Sequence, residues 1–287
     1  MYTIKRAADL VGVSVSTLRA WERRYGIAAP RRTDSGYRLY DDEAVRTLSL
    51  MHSLVQEGWS ARQAAEEAGR RTSANAFAHP VGDSTAAGAA LVHAAASLDV
   101  VGLTRLLDRW FSTASFETVV DATLLPSLAE LGRAWESGRV TVAGEHLVAH
   151  AVGRRLAAAY EGSGDQHRGP RVLAGLPPGS RHELGLLSFA AAARRTGLAV
   201  SYLGADVPVV DWVAAAEQGA ACLVMATSMP ADAAAVAQVV AALDEAGNGL
   251  LVAVGGAEQD AVPERCMRLG HEIGPAATLL ADRLSHS

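Results

Sequence analysis

Apolar and polar positions follow three different rhythms along this chain of 287 residues. In the first, Ile4, Ala7, Ala8 and Val11 recur at helical spacing behind Thr3, a capping residue, and Gly12 breaks the run. Ser14 or Ser16 then starts a second helix reaching about Tyr25, with Leu18 and Trp21 inward, Arg19, Glu22 and Arg23 outward, and Gly26 as its stop. Two short helices joined by a tight turn make a helix-turn-helix candidate. Asp34-Ser35-Gly36 next suits a hairpin turn, and the alternation through Tyr37, Arg38, Leu39 and Tyr40 suits a short strand, so a wing follows. Asp41 or Asp42 caps a further helix with Val45, Leu48, Met51 and Leu54 on one face, and Ser60 starts another.

The second rhythm is purely helical. It begins after residues 72–85, a polar stretch of small residues that reads as a linker. Four segments near 86–97, 99–112, 115–137 and 140–160 are joined at Leu98, Thr113 and Gly138 by connections short enough for antiparallel neighbours in a bundle. A second linker opens at Glu161. From Arg171 the third rhythm sets in: the apolar runs VLAGL, AVSYLG, CLVMAT and LLVAVGG each precede a helical pattern, with a fifth weak strand expected near His271. The predicted organisation is therefore multidomain: a winged helix-turn-helix head over 1–71, built mainly of helices, a four-helix bundle over 86–162 and an α/β domain over 169–287.

Composition, 49% apolar and 20% charged, fits a folded protein. No stretch reaches the roughly 18 uninterrupted apolar residues of a membrane span, and the N-terminus lacks a signal peptide's apolar core. The expectation is a cytoplasmic chain with no membrane partner. Cys222 and Cys266 match no metal or redox spacing and read as structural thiols. Charge is unevenly divided. Residues 1–71 carry 12 Lys/Arg against 9 Asp/Glu, whereas the rest carries 14 against 22. Six of the arginines fall between Arg19 and Arg38 with only Glu22 and Asp34 among them, as a phosphate-binding surface requires.

Parallel α/β sheets bind ligands at the carboxyl ends of their strands. After the first run comes Ser180-Arg181-His182-Glu183-Leu184-Gly185 at a helix start. There a loop histidine is able to ligate a metal through one ring nitrogen, and Gly185 permits close approach to the backbone. The third run leads into Thr227 and Ser228, which offer hydroxyls, and the fourth ends in Gly255-Gly256. In the bundle, Trp135 is followed, after nine intervening residues, by Glu145-His146 across the Gly138 turn. No nucleophile–base pair, phosphate loop or metal cluster is evident elsewhere.

Two resemblances give these residues roles. The run TLRAWERRYG followed by P-x-R-T-x-x-G-Y-R-x-Y resembles the MerR family of regulators, which implies that Arg19, Arg23, Tyr37 and Arg38 contact duplex DNA. The later loops resemble the flavodoxin-like (Rossmann-type) cobalamin-binding domain, whose motif is (Asp/Glu)-x-His-x-x-Gly with a hydroxyl motif and a Gly-Gly pair further on. That resemblance makes His182 the lower axial ligand of cobalt, with Gly185, Thr227, Ser228, Gly255 and Gly256 around the cofactor. The acidic position of the motif is Ser180 here.

In this order, the pieces are similar to the CarH/LitR family of light-responsive repressors across nearly the whole chain. The family likeness implies adenosylcobalamin held between bundle and sheet, Trp135 covering its upper group, Glu145 and His146 bonded to it, and cofactor-dependent dimers and tetramers gripping operator DNA. A histidine follows the tryptophan in CarH-type members, and Glu136 stands there in this chain. No sustained heptad follows the head, so self-assembly is assigned to the later domains. Two other readings stay open: a regulator sensing haem, a linear tetrapyrrole or a partner protein, and a cobalamin enzyme. The enzyme reading lacks a segment for the separate substrate-holding domain such enzymes carry, and the expectation is a non-enzyme.

Overall fold

The computed structural model describes residues 2–27, 31–32, 38–40, 42–56, 59–68, 84–163 and 169–285. They fall into two compact units: the head, and a second unit holding the bundle and the α/β region.

In the head, α1 (Ile4–Val11) and α2 (Val15–Tyr25) are linked through Gly12, whose φ of 77° turns the chain. Ser14 is the cap of α2: its Oγ accepts the amide of Thr17 at 3.0 Å. Gly26, at φ 64°, closes the helix by donating to Glu22 O. Leu18 and Trp21 are buried with Ala7, Leu48 and Met51, the last two from α3 (Asp42–Gln56). Helix α4 spans 61–68, and Ser60 Oγ accepts the amide of Gln63 at its start. The wing is richer than a hairpin. Strand β3 (Arg38–Tyr40) pairs antiparallel with β2 (Arg31–Arg32) on one side and on the other with β1 (Tyr2–Thr3), a strand the sequence pattern did not suggest. The expected turn at Asp34–Gly36, and Tyr37 and Asp41, lie outside the described residues.

The bundle helices are α5 (Ser84–Ala96), α6 (Val100–Thr113), a third segment from Phe116 to Glu136, and α9 (Val142–Glu161); α5 thus begins inside the expected linker, most of which lies outside the described residues. The third segment was expected as one helix. It divides into α7 (Phe116–Val119), a π-helical turn (Val120–Leu124) and α8 (Leu125–Glu136). The cause is Pro126, which has no N–H to give and whose ring crowds the carbonyl four residues back; widening the turn, so that Leu125 donates to Val120 O, relieves the clash.

The α/β region is a five-stranded parallel sheet. Strands β4 (Arg171–Gly175), β5 (Ala199–Gly204), β6 (Cys222–Ala226), β7 (Leu251–Gly255) and β8 (Met267–Arg268) stand in the order β5-β4-β6-β7-β8, the flavodoxin-like arrangement. The fifth strand ends before His271, which sits in the following turn. Helices α11 (Val209–Ala216) and α12 (Pro230–Glu245) share a core with the sheet through Trp212, Val236 and Leu223.

On the opposite face lies α10 (Glu183–Arg195), buried continuously from Leu186 to Ala193. A helix apolar all round needs cover on every side: α10 packs against the sheet, α13 (Ile273–Ser285) and the bundle's α9. Tyr160, near the end of α9, donates its hydroxyl to Val200 O and accepts the amide of Tyr202, both at 2.9 Å, so the bundle is bonded to strand β5. Among the described residues no helix is long and apolar enough to cross a membrane.

Candidate functional site

Parallel strands in this order leave their carboxyl ends open along one edge, and the loops there carry the residues singled out above. A cavity of about 110 Å³ lies at this edge. Its walls are mostly apolar: Leu186 and Phe189 of α10, Val224 of β6 and Ile273 of α13 contribute, and Leu125 closes it from the bundle. Bundle and sheet therefore share one chamber. Gly185, Ser228, Gly255 and Gly256 line it; His182, Thr227, Trp135, Glu145 and His146 do not.

The glycines differ in what they do. A Cβ on Gly185 would meet nothing within 4 Å, so its missing side chain leaves open space at the chamber. Gly256 sits at φ 107°, and a Cβ there would lie 2.4 Å from Thr227 O, so it is required by the fold itself. Thr227 is fully buried and donates its hydroxyl to Gly255 O at 3.2 Å, which makes it a brace between the loops after β6 and β7. Beside it, Asp232 accepts the amides of Ser228 and Met229, both at 2.8 Å, and so fixes the loop that presents the Ser228 hydroxyl.

His182 occupies the cap position of α10 with its ring exposed and making no cap bond, so the fold does not consume the imidazole. Two residues earlier, Ser180 is 2% exposed and its Oγ has no hydrogen-bond partner among the described residues. Its backbone is secured from the next loop: Asp206 donates its amide to Ser180 O at 3.0 Å and accepts the amide of Gly179 at 2.7 Å. Asp206 holds φ 53° to do so, a strained value for a non-glycine. Behind His182, Tyr202 donates to Glu183 at 2.8 Å; burial and that carboxylate push the phenol far above its ordinary range, which keeps it protonated.

Trp135 stands in the last turn of α8, 47% exposed, and Glu145 and His146 in the first turns of α9 across the left-handed Gly138. Glu145 Oε2 and His146 Nδ1 lie 2.7 Å apart on the exposed surface. In the head, Arg19 and Arg23 project to solvent from α2, as its inward Leu18 and Trp21 require. Arg38 lies on β3. Among the described residues no three His, Cys, Asp or Glu side chains converge to hold a metal ion.

Residues 2–68 match the MerR HTH family of regulatory proteins, and residues 88–160 and 170–282 match two families described as B12 binding domains. The HTH-type transcriptional repressor CarH of Myxococcus xanthus is 36% identical over 222 residues, covering 73% of this chain and 73% of the relative. The chain belongs to the CarH-type MerR regulators. CarA of the same organism, also an HTH-type transcriptional repressor, is 34% identical over 224 residues, 76% of this chain and 71% of its own. A solved monomethylamine corrinoid protein from Methanosarcina barkeri has the same fold over 67% of this chain and 96% of its own, with a TM-score of 0.56 and 16% identity.

As a CarH-type regulator the chain is a transcription factor with a DNA-binding head and not an enzyme, and the matches over bundle and sheet support cobalamin as its cofactor. The Cys222 and Cys266 thiols are free and buried. Sequence reasoning missed Leu125, Ile273 and His271 at the chamber, because none of them belongs to a motif and only the packing of distant elements brings them there.

Proposed function

We propose that the chain is a light-responsive transcriptional repressor that holds adenosylcobalamin between its bundle and its α/β domain, with cofactor-dependent oligomerisation setting the strength of operator binding. The observation that carries this reading is the shared chamber: Leu125 of the bundle and the loops above β6 and β7 wall one apolar space, so a single ligand bears on both. The residues fit such a cofactor. Open space at Gly185, an unconsumed imidazole at His182 and an orphaned Ser180 hydroxyl are each left unfinished by the fold alone. The division we assign is head 1–71, linker 72–85, bundle cap 86–162 and cobalamin domain 169–287.

Adenosylcobalamin, when bound, supplies a cobalt–carbon bond that visible light breaks. In this reading His182 would hold the cobalt through a ring nitrogen, Gly185, Thr227, Ser228, Gly255 and Gly256 would shape the loops around the cofactor, and the apolar chamber would exclude water. Trp135 would shield the cofactor from solvent, while Glu145 and His146 would hydrogen-bond to it. Arg19, Arg23, Tyr37 and Arg38 grip operator DNA. A single small head binds weakly, so linking several heads in one oligomer raises effective concentration, and a ligand that binds one arrangement of bundle and sheet better than another shifts that equilibrium.

The test is an absorption spectrum of the purified full chain with adenosylcobalamin in the dark and after green light, alongside sedimentation and DNA binding in the same two states. A bound corrinoid spectrum, larger species and tighter DNA binding in the dark, all lost on illumination, are expected; unchanged DNA binding after light overturns the reading. Ser180 at the motif's acidic position and Glu136 after Trp135 favour a second reading, in which haem or a linear tetrapyrrole fills the same chamber. Separate incubation with each pigment distinguishes them by spectrum.

A further inference from the structure

The two histidines of α9 form a pair, and to His150 the proposed function gives no role. Gly144, Val148, Val152 and Leu156 are the buried stripe of this helix. His146 and His150 each stand two positions from members of that stripe, about 200° round the helix, and both are exposed. Being four residues apart, they lie on one face. Their ring centroids are 6.4 Å apart, with 73° between the ring planes.

The neighbouring carboxylate decides which nitrogen is offered. Glu145 Oε2 lies 2.7 Å from His146 Nδ1. An ionised carboxylate only accepts, so Nδ1 donates, and the neutral ring then carries its lone pair on Nε2. A carboxylate bonded to the far nitrogen orients a metal-binding imidazole and raises its basicity. Among the described residues no hydrogen bond or ion pair engages the His150 ring. The backbone beneath the pair is firmly seated: Thr141 Oγ1 accepts the amide of Gly144 at 3.2 Å, and a Cβ on Gly144 would collide with the Ala95 carbonyl of α5. Arg154 stands one turn beyond His150, and its exposed cation works against a second positive charge; the Glu145 carboxylate, bonded to one of the two rings, works for it.

We infer that His146 and His150 hold a divalent transition ion such as Zn2+ between them, with Glu145 as the outer carboxylate and water in the remaining positions. Two imidazoles at i and i+4 of a helix suit ions of this class, whereas Mg2+ and Ca2+ take oxygen ligands. With two protein ligands the ion is exchangeable, unlike a structural zinc with four. The inference is independent of the cobalamin reading, because its test contains no corrinoid. That test is a calorimetric titration of the metal-stripped, cofactor-free full chain with Zn2+. Wild type takes up a saturable equivalent that His150→Ala loses, the difference between the two removing any uptake by the chain's other histidines. Glu145→Ala weakens the same uptake about tenfold, and Mg2+ gives no such signal. Circular dichroism checks that the variants, all at surface positions, fold. Electron paramagnetic resonance at one equivalent of Cu2+ counts the ligands: nitrogen splitting from two imidazoles is expected in wild type and from one in His150→Ala. Identical Zn2+ titrations for wild type and His150→Ala, or a wild-type Cu2+ spectrum with a single imidazole, overturn the inference.

Discussion

The carboxylate of Asp121 accepts the backbone N–H of Ile273 at 2.6 Å, and its second oxygen accepts that of Gly274 at 2.9 Å. Asp121 lies on the π-helical turn of the bundle, and the two amides open the last helix of the α/β region. A helix N-terminus leaves its first amides unbonded and favours negative charge. Here another part of the chain supplies both the acceptors and the charge. Nearby, Arg195 of α10 donates to Glu117 at 2.6 Å. Leu125 and Ile273, on the two sides of this latch, both line the chamber, so an occupant touches the elements the latch joins.

Asp121→Ala is expected to destabilise the second unit by about 1–2 kcal/mol, the usual size of a lost helix cap. Asp121→Asn keeps an acceptor and loses less. Urea denaturation followed by far-ultraviolet circular dichroism measures both, and an unchanged midpoint for the alanine variant removes the latch from the account.

Gly256 and Gly185 should answer alanine in opposite ways. At Gly256 the new methyl meets backbone atoms of Thr227 at φ 107°, so a loss of about 2 kcal/mol or more is expected. At Gly185, inside α10 and over open space, alanine gains up to about 1 kcal/mol of helix stability. The same methyl enters the chamber and lowers affinity for adenosylcobalamin. Chemical denaturation of the ligand-free chain, set beside a titration with the corrinoid, separates the two effects.

Arg19→Ala and Arg23→Ala should each weaken binding to duplex DNA and reduce the slope of log affinity against log salt by about one, with little change in stability. Leu18→Ala, at a fully buried site two turns' packing depends on, instead destabilises the head by about 2–5 kcal/mol. Fluorescence anisotropy across a salt series checks the first pair and thermal unfolding the last.

Burial pushes the Cys222 thiol up to about 12, and the Cys266 thiol is raised by the same cause. Neither should react with a thiol reagent at pH 8 until the chain is unfolded. The pH dependence follows from the sign. An unfolded thiol ionises near its ordinary value of about 9, whereas the native Cys222 stays protonated until about 12. The unfolded state thus releases its proton first, and the fold loses stability as pH rises through that window. Replacing Cys222 with Ala should flatten this part of the pH profile.

Much of the fold was legible because its signals are local. Ser14, Gly12 and Gly26 mark the ends of the head's helices by their own backbone preferences, and the strand runs of the α/β region are apolar on both faces because helices cover both. The π-helical turn was not read, although Pro126 carries the signal for it. The strand β1 was not read either, since two residues make a strand only when β3 offers an edge.

Of the chamber, Gly185, Ser228, Gly255 and Gly256 could be named from motif spacing. Its remaining wall could not. Leu125 and Ile273 are ordinary apolar residues, and His271 carries no pattern until the turn after β8 sets it at the cavity.

The sequence by itself determined most of the helices and strands, the basic head and the loops that present glycine, hydroxyl and imidazole, because helix caps, strand runs and charge act over a few residues. Tertiary structure alone decided which of these groups share a space. A continuously buried α10 has no partner in its own segment, and it found one in the sheet on one side and α9 on the other. Asp121 likewise met its acceptor-seeking amides 152 positions away. Such pairings depend on burial and hydrogen-bond completion between remote elements, and local propensity carries no trace of them.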